Sequence, residues 1–114
     1  MPSPDTGAQS ADLRGPVLHI LLALGTDAKH GYAIMQDIAE RSEGQVRILP
    51  GTLYSTIKKM LADGLIEEVD PPRRADSDDA RRRYYRVTRS GRVAAEAETR
   101  RLAVLVKLGR VFLS

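Results

Sequence analysis

The chain has 114 residues, the length of a single small domain, and it contains no cysteine, which excludes a disulfide framework, a thiolate metal site and cysteine-based catalysis. The formal net charge is only +3, but residues 71–114 carry twelve Lys/Arg against five Asp/Glu, whereas residues 1–70 carry six against ten. This basic segment indicates either a polyanionic partner or a solvated charged surface.

The N-terminal segment carries no predicted targeting signal. Residues 1–11 are small and polar, so we predict a flexible tail that lacks the basic start of a secretory signal. The longest apolar run, residues 17–24, is interrupted by His19 and is far shorter than the ~20 residues that cross a bilayer. We therefore expect a cytoplasmic protein with no membrane partner.

A first helix is predicted from apolar residues that recur at helical spacing. Asp12 can cap this helix, Pro16 is tolerated because it lies in or near the first turn, and Gly25 ends the helix. The apolar positions are Leu13, Val17, Ile20, Leu21 and Leu24. Because the helix is apolar almost all round, we expect it in the middle of the domain.

A second helix is predicted from Gly31 to about Arg41, after a short turn. The residues expected to face inward are Tyr32, Met35, Ile38 and Ala39. Residues 42–44 end this helix. Val46 and Ile48 then alternate with polar residues, which predicts a very short strand.

A third helix is predicted over about residues 51–63, with Gly64 as its left-handed cap. At ~100° per residue, its apolar side chains converge on one side; they are Leu53, Ile57, Met60 and Leu61. The exposed side is short, hydroxylated and basic, and it is formed by Thr52, Ser55, Lys59 and Ala62, with Tyr54 and Lys58 on one flank and Thr56 on the other. Such a face fits the major groove of DNA, although an ordinary surface helix with two solvated lysines would show the same pattern.

A β-hairpin, here called the wing, is predicted over about residues 65–88. Its two strands flank a long polar loop with two arginine clusters around an acidic centre. The arginines are Arg73, Arg74, Arg81, Arg82 and Arg83. They can lie along phosphates or enter a minor groove, or they can pair with the loop's own aspartates. A mixture is favoured, in which residues 81–83 are better placed for DNA than the loop tip.

The order of the predicted elements defines the fold class. Three helices followed by a hairpin is the order of a winged helix-turn-helix domain, assigned to residues 12–89. Either Thr88 or Ser90 caps a last helix over residues 90–114. The expected fold is therefore mainly α with a small β-hairpin, extended by a C-terminal dimerisation helix.

The last helix is too apolar for a lone surface helix. Its apolar residues are expected to pack on the first helix and on a second copy of the chain. The candidate dimerisation residues are Leu102, Leu105, Val106, Leu108, Phe112 and Leu113. A two-fold dimer would place two recognition helices about one DNA turn apart. The alternative is that this helix folds wholly onto its own domain.

Four segments resemble the PadR family of bacterial transcriptional regulators. They are Leu13-Arg14-Gly15, His30-Gly31-Tyr32-Ala33-Ile34, Gly51-Thr52-Leu53-Tyr54 with Leu61 and residues 64–66, and Arg83-Tyr84-Tyr85 with Val87, Thr88 and Gly91. The resemblance implies a dimer that binds a palindromic operator, usually as a repressor. It also implies that Thr52, Tyr54, Ser55 and Lys58 contact double-stranded DNA and that the wing touches the backbone.

The chain departs from the family pattern at two points. Ser55 stands where the family usually has proline, which affects how the third helix enters the groove. Some relatives bind flat aromatic drugs between tryptophans at the dimer interface, but this chain has no tryptophan, so that mode of binding does not carry over. A small-molecule effector remains part of the expectation, without an identity.

The sequence offers less support for two other classes of function, an enzyme and a protein-interaction module. No nucleophile elbow, phosphate-binding loop or dinucleotide loop is present, so neither an enzyme nor a cofactor is expected. The aspartates of the wing lack the glycine and glutamate of a calcium loop, so no metal is expected. A winged-helix protein-interaction module that does not bind DNA is the alternative, favoured slightly by the acidic first seventy residues.

Overall fold

The computed structural model describes Leu13 and residues 15–113, which form four α-helices and a three-stranded antiparallel sheet. The predicted tail and the predicted cap Asp12 lie outside the described residues. The helices are α1 (Pro16–Leu24), α2 (Gly31–Arg41), α3 (Pro50–Ala62) and α4 (Arg89–Gly109), and the strands are β1 (Lys29–His30), β2 (Ile66–Val69) and β3 (Tyr84–Val87). Short 3-10 turns occupy Asp79–Arg81 and Arg110–Phe112.

Helix α1 lies in the centre of the domain, as predicted. Pro16 lies in its first turn, where backbone N–H groups have no intrahelical acceptor, so the missing N–H of proline costs no hydrogen bond. Ile20 and Leu24 are almost completely buried, and the N–H of Gly25 donates to the carbonyl of Leu21 at 3.0 Å as the helix ends. Helices α2, α3 and α4 pack around it, so one aliphatic core serves the whole domain.

Helix α2 buries Ile38, as predicted, and Met35 packs against the core, but one predicted inward residue faces solvent. Ile34 and Ile38, four residues apart, enter the core, whereas Tyr32 is 48% exposed. Tyr32 lies about 200° around the helix from Ile34, so both cannot face inward. The expectation that Tyr32 is a core residue is therefore wrong.

The very short strand lies elsewhere in the chain than predicted. Residues 45–48 form no strand, because the N–H of Val46 donates to Ser42 Oγ at 2.9 Å, beside the turn that ends α2, and not to a neighbouring strand. Val46 and Ile48 still pack against the core. The short strand is instead β1, which pairs with β3 through Lys29–Tyr85 and His30–Tyr84.

The predicted hairpin is present, with β3 in the middle of the sheet order β1-β3-β2. Strands β2 and β3 are antiparallel, with Ile66 opposite Val87 and Val69 opposite Tyr84. Ile66 and Tyr85 are buried and attach the hairpin to the helices. Residues 70–83 form the long loop of the wing.

The end of α3 is joined to the start of α4 by a junction of four residues: Gly64, Leu65, Thr88 and Gly91. Gly64 adopts φ +75°, as predicted for a left-handed cap. Thr88, rather than Ser90, caps α4: its hydroxyl accepts from the N–H of Gly91 at 3.0 Å and donates to the Gly64 carbonyl. The N–H of Thr88 donates to the Leu65 carbonyl at 3.1 Å.

Helix α4 packs on the domain only along its first half. Gly91 and Ala94 are buried, whereas the apolar side chains of the second half and of the 3-10 turn after it are largely exposed, up to 87% for Phe112 in that turn. The alternative that the last helix folds wholly onto its own domain is therefore wrong. Within the described part of the chain, no helix combines the length and the apolar character needed to span a membrane.

Candidate nucleic-acid interface

Helix α3 has the two faces predicted from its sequence. Leu53, Ile57 and Met60 are at most 2% exposed and fix the helix on the core, while Leu61 is half-buried beside them. The opposite face is open to solvent, and its exposed residues are Thr52, Tyr54, Ser55, Lys58, Lys59 and Ala62. The core thus holds the helix in a fixed orientation that presents these side chains outward.

The exposed face of α3 is polar and positively charged. No carboxylate occurs between Pro50 and Ala62, so Lys58 and Lys59 are not neutralised within the helix. Ser55 and Thr56 hydroxyls both donate to the Thr52 carbonyl, at 3.1 and 2.7 Å, and keep free lone pairs that can accept from base edges. Such a face can meet both phosphates and the donor groups of the major groove.

Tyr54 links α3 to the start of α2. A Cβ placed on Gly31 would lie 2.8 Å from the Tyr54 hydroxyl oxygen and 2.9 Å from the ring, so the tyrosine packs directly on the glycine. One edge of the ring is therefore fixed, although the side chain remains half-exposed. This contact sets the direction in which Tyr54 leaves the helix.

The loop of the wing, residues 70–83, divides its five arginines into two groups. Arg82 pairs with Asp79, with its Nε 3.3 Å from the carboxylate, and its guanidinium lies 5.6 Å from the centre of the Tyr32 ring. The other four are exposed and form no ion pair with any described residue; they are Arg73, Arg74, Arg81 and Arg83. Both interpretations of the wing arginines thus hold in part, since one is paired internally and four face solvent.

The aspartates of the wing organise its backbone. Asp76 Oδ1 accepts from the N–H of Asp79 at 2.8 Å, and the carbonyl of Asp76 accepts from the N–H of Ala80, also at 2.8 Å. These bonds build the 3-10 turn that precedes β3. Among the described residues, no three His, Asp or Glu side chains come together as a metal site.

His30 connects α2, the sheet and the wing. Its Nδ1 accepts from the N–H of Ala33 at 3.1 Å and caps α2, so this nitrogen is unprotonated. Its Nε2 lies 3.8 Å from Asp79, and its ring meets Tyr84 edge-on with centroids 5.4 Å apart. The only local signal of this role in the sequence is the position of His30 directly before a helix.

Folding stability is expected to fall in mild acid because of His30. Burial lowers the pKa of its imidazole below the ordinary value of 6.5, Arg82 lowers this pKa further, and Asp79 acts in the opposite direction. Since the unfolded chain then binds the proton more readily, stability is retained above about pH 6.5 and lost as the pH falls through the folded pKa. Thermal unfolding from pH 8 to pH 5 measures this loss.

The control is His30→Asn, which retains a side-chain acceptor at the cap but does not titrate. Its melting temperature should fall less than that of the wild type over the same pH range. Parallel curves for the two proteins would contradict a titrating cap.

The candidate dimerisation residues form an exposed apolar surface on the second half of α4 and the turn after it. Leu102 is half-buried, whereas Leu105, Val106, Leu108, Phe112 and Leu113 are exposed. Four further apolar side chains are exposed that were not predicted as dimerisation residues, namely Leu22 of α1, Val93, Val104 and Val111. Val104 and Val111 lie in the same apolar stretch of sequence and could have been included on that basis.

The architecture defines the class of protein. Helices α2 and α3 form a helix-turn-helix, α3 presents a basic face beside an arginine-rich hairpin, and this is the arrangement of winged helix-turn-helix proteins. The family model described as the transcriptional regulator PadR-like family matches residues 18–97. The chain belongs to this family of transcriptional regulators, which confirms the resemblance seen in the sequence.

Individual relatives agree with this assignment. The chain is 36% identical over 90 residues to transcriptional regulator Rv3488 of Mycobacterium tuberculosis, and the match covers 79% of this chain and 78% of the relative. A PadR family transcription regulator from Clostridium difficile R20291 has a TM-score of 0.68 at 24% identity and covers 85% of this chain and 96% of its own. A transcriptional regulator from Clostridium thermocellum, Cth-833, has a TM-score of 0.68 at 21% identity with full coverage of both chains. The two solved structures support the fold.

Proposed function

We propose that the chain is a sequence-specific DNA-binding regulator that binds a palindromic operator as a homodimer and represses transcription. The observation that carries this proposal is the face of α3 opposite its buried residues: hydroxylated, basic and free of carboxylates over a full 13-residue helix. Thr52, Tyr54 and Ser55 would contact base edges and nearby phosphates, and Lys58 and Lys59 would contact phosphates. The exposed arginines of the wing would add backbone contacts.

The second half of α4 supports the homodimer. Most of its apolar side chains, and those of the turn that follows, are exposed, and exposed apolar surface of this kind marks association sites. Pairing of two α4 helices would remove this surface from water. It would also place two α3 helices on the same side of the assembly for two half-sites.

The proposal is tested by fluorescence-anisotropy binding to the DNA upstream of the chain's own gene, against scrambled DNA and across a salt series. Replacing both lysines of α3 (Lys58→Ala/Lys59→Ala) is expected to weaken binding by roughly tenfold or more. It should also make the salt dependence less steep by about one unit per lost phosphate contact. Two protomers per site are expected.

The matched control removes two charges from the outward side of α4 (Arg100→Ala/Lys107→Ala) and should leave both quantities nearly unchanged. Unchanged affinity in the α3 variant would remove these lysines from the DNA contacts. No binding by the wild type at low salt would favour the protein-interaction module instead.

Release by a small-molecule effector is part of the proposal. An open, mostly apolar cleft of about 280 Å³ lies between α1 and α2, with His19, Leu22 and Arg41 among its lining residues. Candidate ligands can be screened in the same binding assay by their ability to release labelled promoter DNA.

A further inference from the structure

Four residues attach the loop of the wing to the beginning of α2, and we call them the wing clamp: His30, Tyr32, Asp79 and Arg82. The Asp79 carboxylate lies 3.3 Å from Arg82 Nε and 3.8 Å from His30 Nε2. Arg82 in turn lies over the Tyr32 ring, with 5.6 Å from the guanidinium carbon to the ring centroid. Two residues of the wing thus meet two residues of the helix-turn-helix.

Each side of the clamp is held by its own local structure. On the wing, the 3-10 turn Asp79–Arg81 and the Asp76 side chain bring Asp79 and Arg82 to the same side. On the domain, the bond from Ala33 to Nδ1 and the edge-on contact with Tyr84 fix the His30 ring. The exposure of Tyr32 is explained by this arrangement, because the ring is the surface on which Arg82 lies.

The clamp acts on a long loop that has few other restraints. Residues 70–83 connect β2 to β3, and a loop of this length samples many conformations unless side chains tie it down. The position of Arg73, Arg74 and Arg81 relative to α3 therefore depends on where the loop is docked. Surface ion pairs and cation–π contacts are individually weak, so the docked position rests on their combination.

We propose that Asp79 and Arg82 are positioning residues, which dock the wing against α2 and so place the remaining wing arginines for DNA phosphates. Arg82 then acts through the position of the wing and is not itself a phosphate contact. This assignment rests on the proposed DNA-binding function and refines it, since Arg82 was first included among the candidate DNA contacts.

The sign of the effect of Asp79→Asn separates this proposal from simple charge repulsion. If Asp79 only repelled phosphate, neutralising it would make the protein bind DNA more tightly. If Asp79 holds the wing in place, the Asp79→Asn protein would bind DNA less tightly, although its net charge is more positive. We expect promoter binding by Asp79→Asn to be weakened by roughly three- to tenfold, and by Arg82→Ala to a similar extent.

The salt dependence gives a second criterion, with Arg81→Ala as the matched control because it removes the adjacent positive charge. Loss of a phosphate contact makes the slope of log K against log salt shallower by about 0.9. We expect this change for Arg81→Ala and an unchanged slope for Arg82→Ala. Tighter binding by Asp79→Asn, or equal slope changes for Arg81→Ala and Arg82→Ala, would overturn the proposal.

A measurement without DNA tests the clamp independently of the proposed function. Tryptic cleavage after Arg73 and Arg74, followed by mass spectrometry on the full chain, is expected to be faster in Asp79→Asn and Arg82→Ala than in the wild type and Arg81→Ala. Equal cleavage rates in all four proteins would overturn the clamp. Failure of the wild type to bind promoter DNA, together with faster cleavage of the clamp variants, would reject the proposed function and retain the clamp.

Discussion

Replacing Gly91 by alanine is expected to destabilise the folded chain by about 3 kcal/mol. A Cβ at this position would overlap the backbone carbonyl oxygen of Leu65 and would lie 2.9 Å from a methyl group of Val87. The carbonyl cannot move aside cheaply, because it accepts the N–H of Thr88 at 3.1 Å. The first turn of α4 would have to separate from the end of α3, and the Thr88 cap would be lost with it.

Gly51→Ala is the matched control for this prediction. Gly51 also lies in the first turn of a helix, but a Cβ there meets nothing within 4 Å. Chemical denaturation of both variants without DNA should show a much lower midpoint for Gly91→Ala and a midpoint close to wild type for Gly51→Ala. Equal midpoints would mean that α4 can shift on the domain at little cost.

A glutamate in place of Leu105 is expected to dissociate the proposed dimer and to weaken operator binding by about a hundredfold. Leu105 is 49% exposed and lies among the exposed apolar side chains of the second half of α4. In a dimer, a carboxylate at this position would lose its water without gaining a partner. Two separate protomers would then have to bind their half-sites without the benefit of being linked.

Lys107→Glu is the control, because Lys107 lies about 160° around α4 from Leu105 on its charged side. Light scattering coupled to size-exclusion chromatography should show a monomer for Leu105→Glu and the wild-type mass for Lys107→Glu. A wild-type chain that is monomeric at all concentrations would refute dimerisation through α4. A dimeric Leu105→Glu protein would place the interface elsewhere.

The parts of the fold that depend on one local pattern could be predicted from the sequence. The two faces of α3 follow from the spacing of Leu53, Ile57 and Met60, and the end of the helix follows from Gly64. The wing follows from two strand-like segments around a polar loop. The same spacing predicts the candidate DNA-facing surface of α3, because the side of the helix opposite its buried residues faces solvent.

The parts that depend on distant residues could not be predicted. Tyr32 was expected on the inward face of the second helix together with Met35 and Ile38, but the burial of Ile34 leaves Tyr32 facing outward, towards Arg82. Strand β1 has only two residues, too few for any alternation, and it exists because β3 offers an open edge. The pairing of Asp79 with His30 joins residues 49 positions apart in sequence, and no local pattern indicates it.

The junction at Thr88 has a geometric consequence for the proposed dimer. Because Thr88 ties Gly64 and Leu65 to the start of α4, α3 and α4 would turn as one unit in such a dimer. Helix α4 has 21 residues and is ~32 Å long, so a tilt of ~10° about its C-terminal end moves its N-terminal end, next to α3, by about 5 Å. Successive major grooves on one side of DNA are ~34 Å apart, and a shift of this size in each protomer moves both helices out of phase with them. In the proposed dimer, a change at the two-fold axis would therefore alter the separation of the two α3 helices while each helix keeps its own conformation.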